Sequence, residues 1–232
     1  MKKRTVFIGA ILSLIPLGQP FVIKTGLFLS SSALMISLPE KLNAGDNSYY
    51  FNRAFDKGEK GDHFGAISDF TRAIEINPNN ERAYYNRGWN KARVNDFYGA
   101  IADYTKAIAI DPQYAKAYYN RGNSKVELED HYGAISDYTK AIEINPQYEK
   151  AYYNRGVAKV ELEDHYGAIS DFTKAIGINP QYVKAYVNRG RSYYFINKKW
   201  NACEDFKMAV SIGDNSTAEW LNSGGGSWCK DM

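Results

Sequence analysis

Cysteine and histidine are scarce in this 232-residue sequence: it has two of the first and three of the second. Cys203 and Cys229 cannot furnish a four-ligand zinc site, and their spacing is not that of a redox pair. If the chain is exported they can form one disulfide; otherwise Cys203 reads as a buried thiol. His63, His131 and His165 recur without a second ligand type beside them, so half-buried ring packing is the simpler account and no metal is expected. Catalytic groupings are also missing. No Ser or Cys accompanies a recurrent His, and the run Gly224 to Gly226 opens no helix that could receive a phosphate. Neither enzyme activity nor a cofactor is expected, and Glu129-Asp130 and Glu163-Asp164 read as solvated caps at turns.

A surplus of one charge is missing as well. Lys and Arg total 29 against 26 for Asp and Glu, and Lys2, Lys3 and Arg4 at the extreme N-terminus account for the excess. The rest of the chain therefore lacks the one-sided basic field of a nucleic-acid binder. At 44% hydrophobic and 24% charged, the composition excludes a disordered chain and fits one domain of moderate size.

Charge is thinnest between Thr5 and Leu38, where Lys24 is the only charged residue. A surface segment of a soluble domain could not have this composition. The basic start "MKKR" followed by Val6 to Leu17 has the first two parts of a signal peptide, and "SSA" (Ser31 to Ala33) or "LNA" (Leu42 to Ala44) could be the cleavage site. Alternatively, Val6 to Ile23 and Thr25 to Leu38 remain in the membrane as an anchor or hairpin, although Pro16 and Pro20 interrupt the first block. Residues 1–45 are thus expected to be a signal peptide or membrane anchor, with membrane contact through residues 5–38. The protein is then exported to a periplasm, lumen or extracellular space, or anchored, and not free in the cytoplasm.

Tyrosine is abundant, with 19 copies, most of them at repeated positions. "AYYNRG" begins at Ala83, Ala117 and Ala151, with "AYVNRG" at Ala185 and "YYFNRA" at Tyr49, a spacing of 34 residues throughout. A fixed period of this length points to a solenoid. In the unit from Glu81 to Tyr114, the first half ends near Asn95, Asp96 is an N-cap candidate for the second, and Pro112 stops it. Each unit therefore reads as helix A, tight turn, helix B and proline stop.

Numbering each unit from one, position 8 is Gly88, Gly122, Gly156 and Gly190, with Ala54 in the first unit. Position 20 is Ala66, Ala100, Ala134, Ala168 and Ala202, and position 27 is Ala73, Ala107, Ala141, Ala175 and Ala209. Position 24 is Phe70, Tyr104, Tyr138, Phe172 and Phe206, while Pro78, Pro112, Pro146 and Pro180 fill position 32 in all but the fifth unit. Small residues at 8, 20 and 27 let two helices approach, and the ring at 24 fills the seam with mostly Ile residues at 21 and 28. This pattern resembles the tetratricopeptide repeat (TPR). The resemblance implies an all-α fold, a right-handed α-solenoid of five units at 47–80, 81–114, 115–148, 149–182 and 183–216. Residues 217–232 then form a short capping helix and Gly-rich tail, with Trp220 covering the last seam.

In this family, positions 2, 5, 6, 9, 12 and 13 of helix A line a concave groove that holds extended peptides. Position 6 is Asn52, Asn86, Asn120, Asn154 and Asn188, each offering a donor and an acceptor to a peptide backbone. Position 2 supplies Arg82, Lys116, Lys150 and Lys184, and position 5 supplies Tyr85, Tyr119 and Tyr153. Such a groove suits a protein or peptide with acidic groups or a free C-terminal carboxylate. The carboxylate-clamp members of the family also need basic residues at position 5 and at position 6 of a later unit, where this chain has aromatics and Asn. Position 7 is Arg53, Arg87, Arg121, Arg155 and Arg189, position 11 is Lys in four units, and position 23 is Asp69, Asp103, Asp137, Asp171 and Asp205. These opposite charges on the two helices are expected to form structural ion pairs. Two functions stay open: a non-catalytic scaffold holding a peptide in the groove, or a spacer or assembly platform for a membrane or envelope complex with an empty groove.

Overall fold

The structure, a computed structural model, describes residues 46–229. The expected leader or anchor in residues 1–45 lies outside the described residues. Within them run α1 (Asn47–Glu59), α2 (His63–Ile76), α3 (Glu81–Arg93), α4 (Phe97–Ile110), α5 (Ala115–Val126) and α6 (His131–Ile144). Next come α7 (Glu149–Glu161), α8 (His165–Ile178), α9 (Val183–Phe195), α10 (Lys199–Ser211), α11 (Asn215–Asn222) and a 3₁₀ turn at Ser227–Cys229. Among these residues no helix is long and apolar enough to cross a membrane.

Odd-numbered helices up to α9 are the A helices and their even-numbered partners the B helices. Each packs on the helix before and after it, and each A helix also touches the next. At the hairpin turn the residue at position 15 is left-handed: Gly61, Asn95, Glu129, Glu163 and Asn197 all have φ of 60° or more. The next residue, Asp62, Asp96, Asp130 or Asp164, caps the B helix, its carboxylate accepting from the backbone N–H three residues on at 2.9 Å. Helix B ends at an extended Asn77, Asp111, Asn145 or Asn179, the conformation that a following proline imposes. The fifth unit has no such proline, and its B helix instead runs out through Gly213, whose φ is 105°.

The core is narrow and made of small residues. Every Ala at positions 20 and 27 is fully buried, as are Ala83, Ala117, Ala151 and Ala185 at position 3. The rings at position 24 are buried beside the position-8 glycines. A Cβ on Gly122 would stand 2.7 Å from the Tyr138 ring, so only glycine lets α5 and α6 come this close. Ile67, Ile101, Ile135 and Ile169 at position 21 are only half-buried, whereas Ile74, Ile142 and Ile176 at position 28 are buried with the alanines.

The charged pairs sit at this seam. Arg121 donates from Nε and Nη2 to the two oxygens of Asp137 at 2.9 and 2.6 Å, and Lys125 Nζ lies 2.8 Å from Oδ2. The same fork joins Arg53 to Asp69, Arg87 to Asp103, Arg155 to Asp171 and Arg189 to Asp205. Each aspartate is almost fully buried, so the paired cations are what make its charge tolerable. Arg121 Nη1 also donates to Thr105 Oγ1 of the preceding unit at 3.0 Å, and Arg87, Arg155 and Arg189 do the same to Thr71, Thr139 and Thr173. One guanidinium thus ties two consecutive B helices together.

Candidate functional site

The A helices bring positions 2, 5, 6 and 9 to one face because these positions are three or four residues apart. On this face Tyr85, Tyr119 and Tyr153 are half-buried and tilt against Tyr114, Tyr148 and Tyr182, with ring centroids 4.9 Å apart in each pair. Their other sides meet the position-24 rings at 5.7 to 5.9 Å. The tyrosines at position 34 escaped the sequence reading, although the recurring "PQY" was a visible signal. Burial pushes the hydroxyls of Tyr85, Tyr119 and Tyr153 up, and that of Tyr114 up to about 12, so all stay neutral donors at ordinary pH.

The asparagine ladder is tied to these tyrosines. Asn120 Nδ2 donates to Tyr85 Oη at 2.9 Å, Asn154 Nδ2 to Tyr119 Oη at 3.1 Å, and Asn188 Nδ2 to Tyr153 Oη at 2.9 Å. Each bond crosses from one unit to the one before it. For Asn86 the equivalent residue of the preceding unit is Phe51, a ring without a hydroxyl, and its amide donates instead to Arg82 O of its own helix at 2.8 Å. Asn52 stands exposed at the start of the ladder. The Asn amide was expected to offer a donor and an acceptor together. In three units one amide N–H is spent on the preceding unit's tyrosine; Asn154 also donates to Asn123 Oδ1 at 2.8 Å, and Asn120 Oδ1 accepts from Asn123 Nδ2 at 3.4 Å.

Arg82, Lys116, Lys150 and Lys184 are all exposed. Arg82 lies over the Phe51 ring at 5.5 Å. Between the second and fourth units, Arg82, Lys116 and Lys150 border an open cleft of about 740 Å³ with Tyr114, Tyr119, Tyr148 and Glu149. Three cations from three consecutive units thus face one space that holds a single carboxylate.

Cys203 and Cys229 are joined in a disulfide, with Cα atoms 5.4 Å apart. The histidines pack differently from unit to unit: His63 Nδ1 lies 2.9 Å from Asn90 Oδ1, and His165 stacks on Phe195 with centroids 4.8 Å apart. No group of three or more His, Cys, Asp or Glu residues among the described residues could hold a metal ion.

The fold and the face together define an α-solenoid of helical hairpins. The tetratricopeptide repeat family matches residues 115–148 and 149–182, and a further TPR repeat description matches residues 95–129. Residues 95–182 therefore carry tetratricopeptide repeats, and the described residues have the helical-hairpin solenoid fold of that family. No curated protein matches its sequence. Among solved structures it is similar to a MamA protein, at 27% identity and TM-score 0.68, covering 76% of this chain and 93% of that one. YrrB, described as a TPR protein with an unusual peptide-binding site, matches at 22% identity and TM-score 0.68, covering 78% of this chain and 94% of that one. PilF of Pseudomonas aeruginosa matches at 16% identity and TM-score 0.66, covering 79% and 88%, which shows a shared fold.

Proposed function

We propose that this protein is a non-catalytic interaction scaffold, exported or membrane-anchored, that holds an extended peptide or protein segment along its concave face. The observation that carries this reading is the cleft that Arg82, Lys116 and Lys150 share with Tyr114, Tyr119, Tyr148 and Asn145. Neutral donors and acceptors there match the backbone of an extended chain, and the unpaired cations match acidic side chains or a terminal carboxylate. Beyond the cleft, Tyr85, Tyr153 and the amides of Asn120, Asn154 and Asn188 continue these neutral contacts along the same face. Binding of an Asp-Gly repeat peptide, with free or amidated C-terminus, tests the proposal by fluorescence anisotropy against a Lys-Gly control. The acidic peptide is expected to bind in a salt-sensitive way, and Lys116→Glu with Lys150→Glu to weaken it at least about tenfold, roughly 1.4 kcal/mol. Equal binding of acidic and basic peptides would sink it.

One observation favours a second reading. The Asn-to-Tyr bonds cross every boundary from the second unit onward, so the ladder also works as glue between units. A spacer or assembly platform with an empty groove needs only that role. The anisotropy experiment separates the two, because a spacer binds neither peptide.

A further inference from the structure

The fifth unit departs from the other four where its A helix faces the groove. Position 9 is Arg191 where the others have Phe55, Trp89, Asn123 and Val157; position 12 is Tyr194 where they have Gly58, Ala92, Val126 and Val160. Position 13 is Phe195 in place of Glu59, Arg93, Glu127 and Glu161, and position 5 is Val187 in place of an aromatic ring. Position 9 varies in every unit, but the changes at 5, 12 and 13 stand out against four units that agree in character, and all four residues lie on the groove-facing side of α9.

The cap completes an enclosure around them. Helix α11 brings Trp220, whose ring meets Phe206 edge-on at 5.0 Å, and the 3₁₀ turn brings Trp228, which lies 5.3 Å from Tyr194 and 6.4 Å from Trp220. Arg191, Tyr194, Phe195, Phe206, Trp220 and Trp228 line a space of about 160 Å³. A second space of about 340 Å³ adjoins it, sharing Arg191, Phe206 and Trp220 and bordered by Val187. Cys229, next to Trp228, is anchored to α10 through Cys203, so the disulfide holds one wall in place.

Sealing the last seam accounts for the part of Trp220 that covers Phe206, but not for the rest: with the cap in place Phe206 is 4% exposed, whereas Trp220, Tyr194 and Phe195 remain 38%, 45% and 70% exposed. Arg191 is exposed and forms no ion pair among the described residues. A cation at the mouth of an aromatic box complements a ligand that is apolar and anionic at neighbouring points.

We propose that this disulfide-built pocket is the terminal subsite of the groove and takes a large apolar side chain with a carboxylate beside it, the side chain packing against Trp220, Trp228 and Tyr194 and the carboxylate meeting Arg191. The carboxylate comes either from the peptide's own C-terminus or from an adjacent acidic side chain. This inference rests on the groove reading, but its test separates the two.

The short probes are Gly-Gly-Phe as free acid, the same peptide amidated, and amidated Gly-Phe-Asp, followed by tryptophan fluorescence of the oxidised full chain. The free acid or the Asp peptide is expected to bind at least about tenfold more tightly than amidated Gly-Gly-Phe, and whichever does identifies the source of the carboxylate. Arg191→Ala should erase that difference, and Trp228→Ala or reduction of the disulfide should weaken all three. Because Trp228→Ala could loosen the tail, Arg191→Ala, which alters an exposed side chain only, carries the decision. Lys116→Glu with Lys150→Glu should leave the short probes unaffected, so a failed groove and a failed pocket give different results. Equal binding of the three probes, or full binding by Arg191→Ala, overturns the proposal.

Discussion

The three middle units and the fifth unit obey the same repeat but solve its problems differently. In the middle units each buried aspartate meets an arginine and a lysine; in the fifth, Tyr193 stands where the lysine would be and, among the described residues, Arg189 alone pairs with Asp205. The middle B helices stop at proline, whereas the last runs through Gly213 into a cap pinned by the disulfide. Where the middle units present tyrosine, asparagine and the basic residue of position 2 on their groove face, the fifth adds Arg191 and the rings of Tyr194 and Phe195. Repetition therefore marks what every joint requires, and departure marks what only the end does.

Removing a middle aspartate should produce the largest effect. Asp137→Ala strands Arg121 and Lys125 at a largely dry seam and is expected to cost about 3 kcal/mol in urea unfolding. Asp205→Ala strands one cation and should cost clearly less, because burial already pushes the Asp205 carboxyl up against the pull of Arg189. Equal losses would remove the contrast between the units.

Cys203→Ser tests the other half of the comparison. Opening a link across 26 residues should cost about 3 kcal/mol by loop entropy, but it should be confined to the cap. Limited proteolysis should show the residues after Asp214 cut early while the middle units stay resistant; uniform protection would contradict the view of the cap as a separately stapled element.

Acid should separate the two ends by a smaller margin. Hydrogen bonding from Arg53 holds the Asp69 carboxyl below its ordinary value, so the stability it gives is present above the unfolded value near 3.9 and is lost as pH falls through the lower folded value. Asp205 has the opposite sign: its folded value is raised, its stabilising contribution is lost as pH rises through that value, and acidification restores it. Hydrogen exchange from pH 5 downward should therefore show α1 and α2 losing protection before α9 and α10. The reverse order would mean that the missing lysine does not matter.

The smallest effect is at the hairpin turns. Glu129 and Glu163 hold φ of 60°, a conformation that costs a residue with a Cβ about 1 kcal/mol, so Glu129→Gly is expected to raise stability by up to that amount. Asn197→Gly in the fifth unit should gain less, since asparagine tolerates this region better. Thermal unfolding of the two variants gives the comparison.

The fold was legible because helix contacts recur every 34 residues: Gly122 against Tyr138 and Arg121 against Asp137 are partners within one unit and repeat their spacing. The site was legible only in part. Asn120 was visible as a ladder member, but its partner Tyr85 lies 35 residues back, across a unit boundary that only the stacking of hairpins defines. Thr105, which accepts from Arg121, was hidden for the same reason. The terminal pocket was missed because Arg191, Tyr194 and Phe195 look like decay of the repeat until Trp220 and Trp228 fold over them.

Each internal joint is made of the same parts: an arginine reaching back to a threonine, and from the third unit on an asparagine reaching back to a tyrosine. A copy of residues 115–148 inserted after itself would bring both halves of both connections and leave no bond unmade on either side. The length of the solenoid is therefore not set by its interior. It is set at the ends, by the first unit, whose Arg53 turns to Tyr49, and by the stapled cap. Such a chain can lengthen its binding face by whole rungs through duplication alone, and its near-identical middle units have the form that such growth leaves behind.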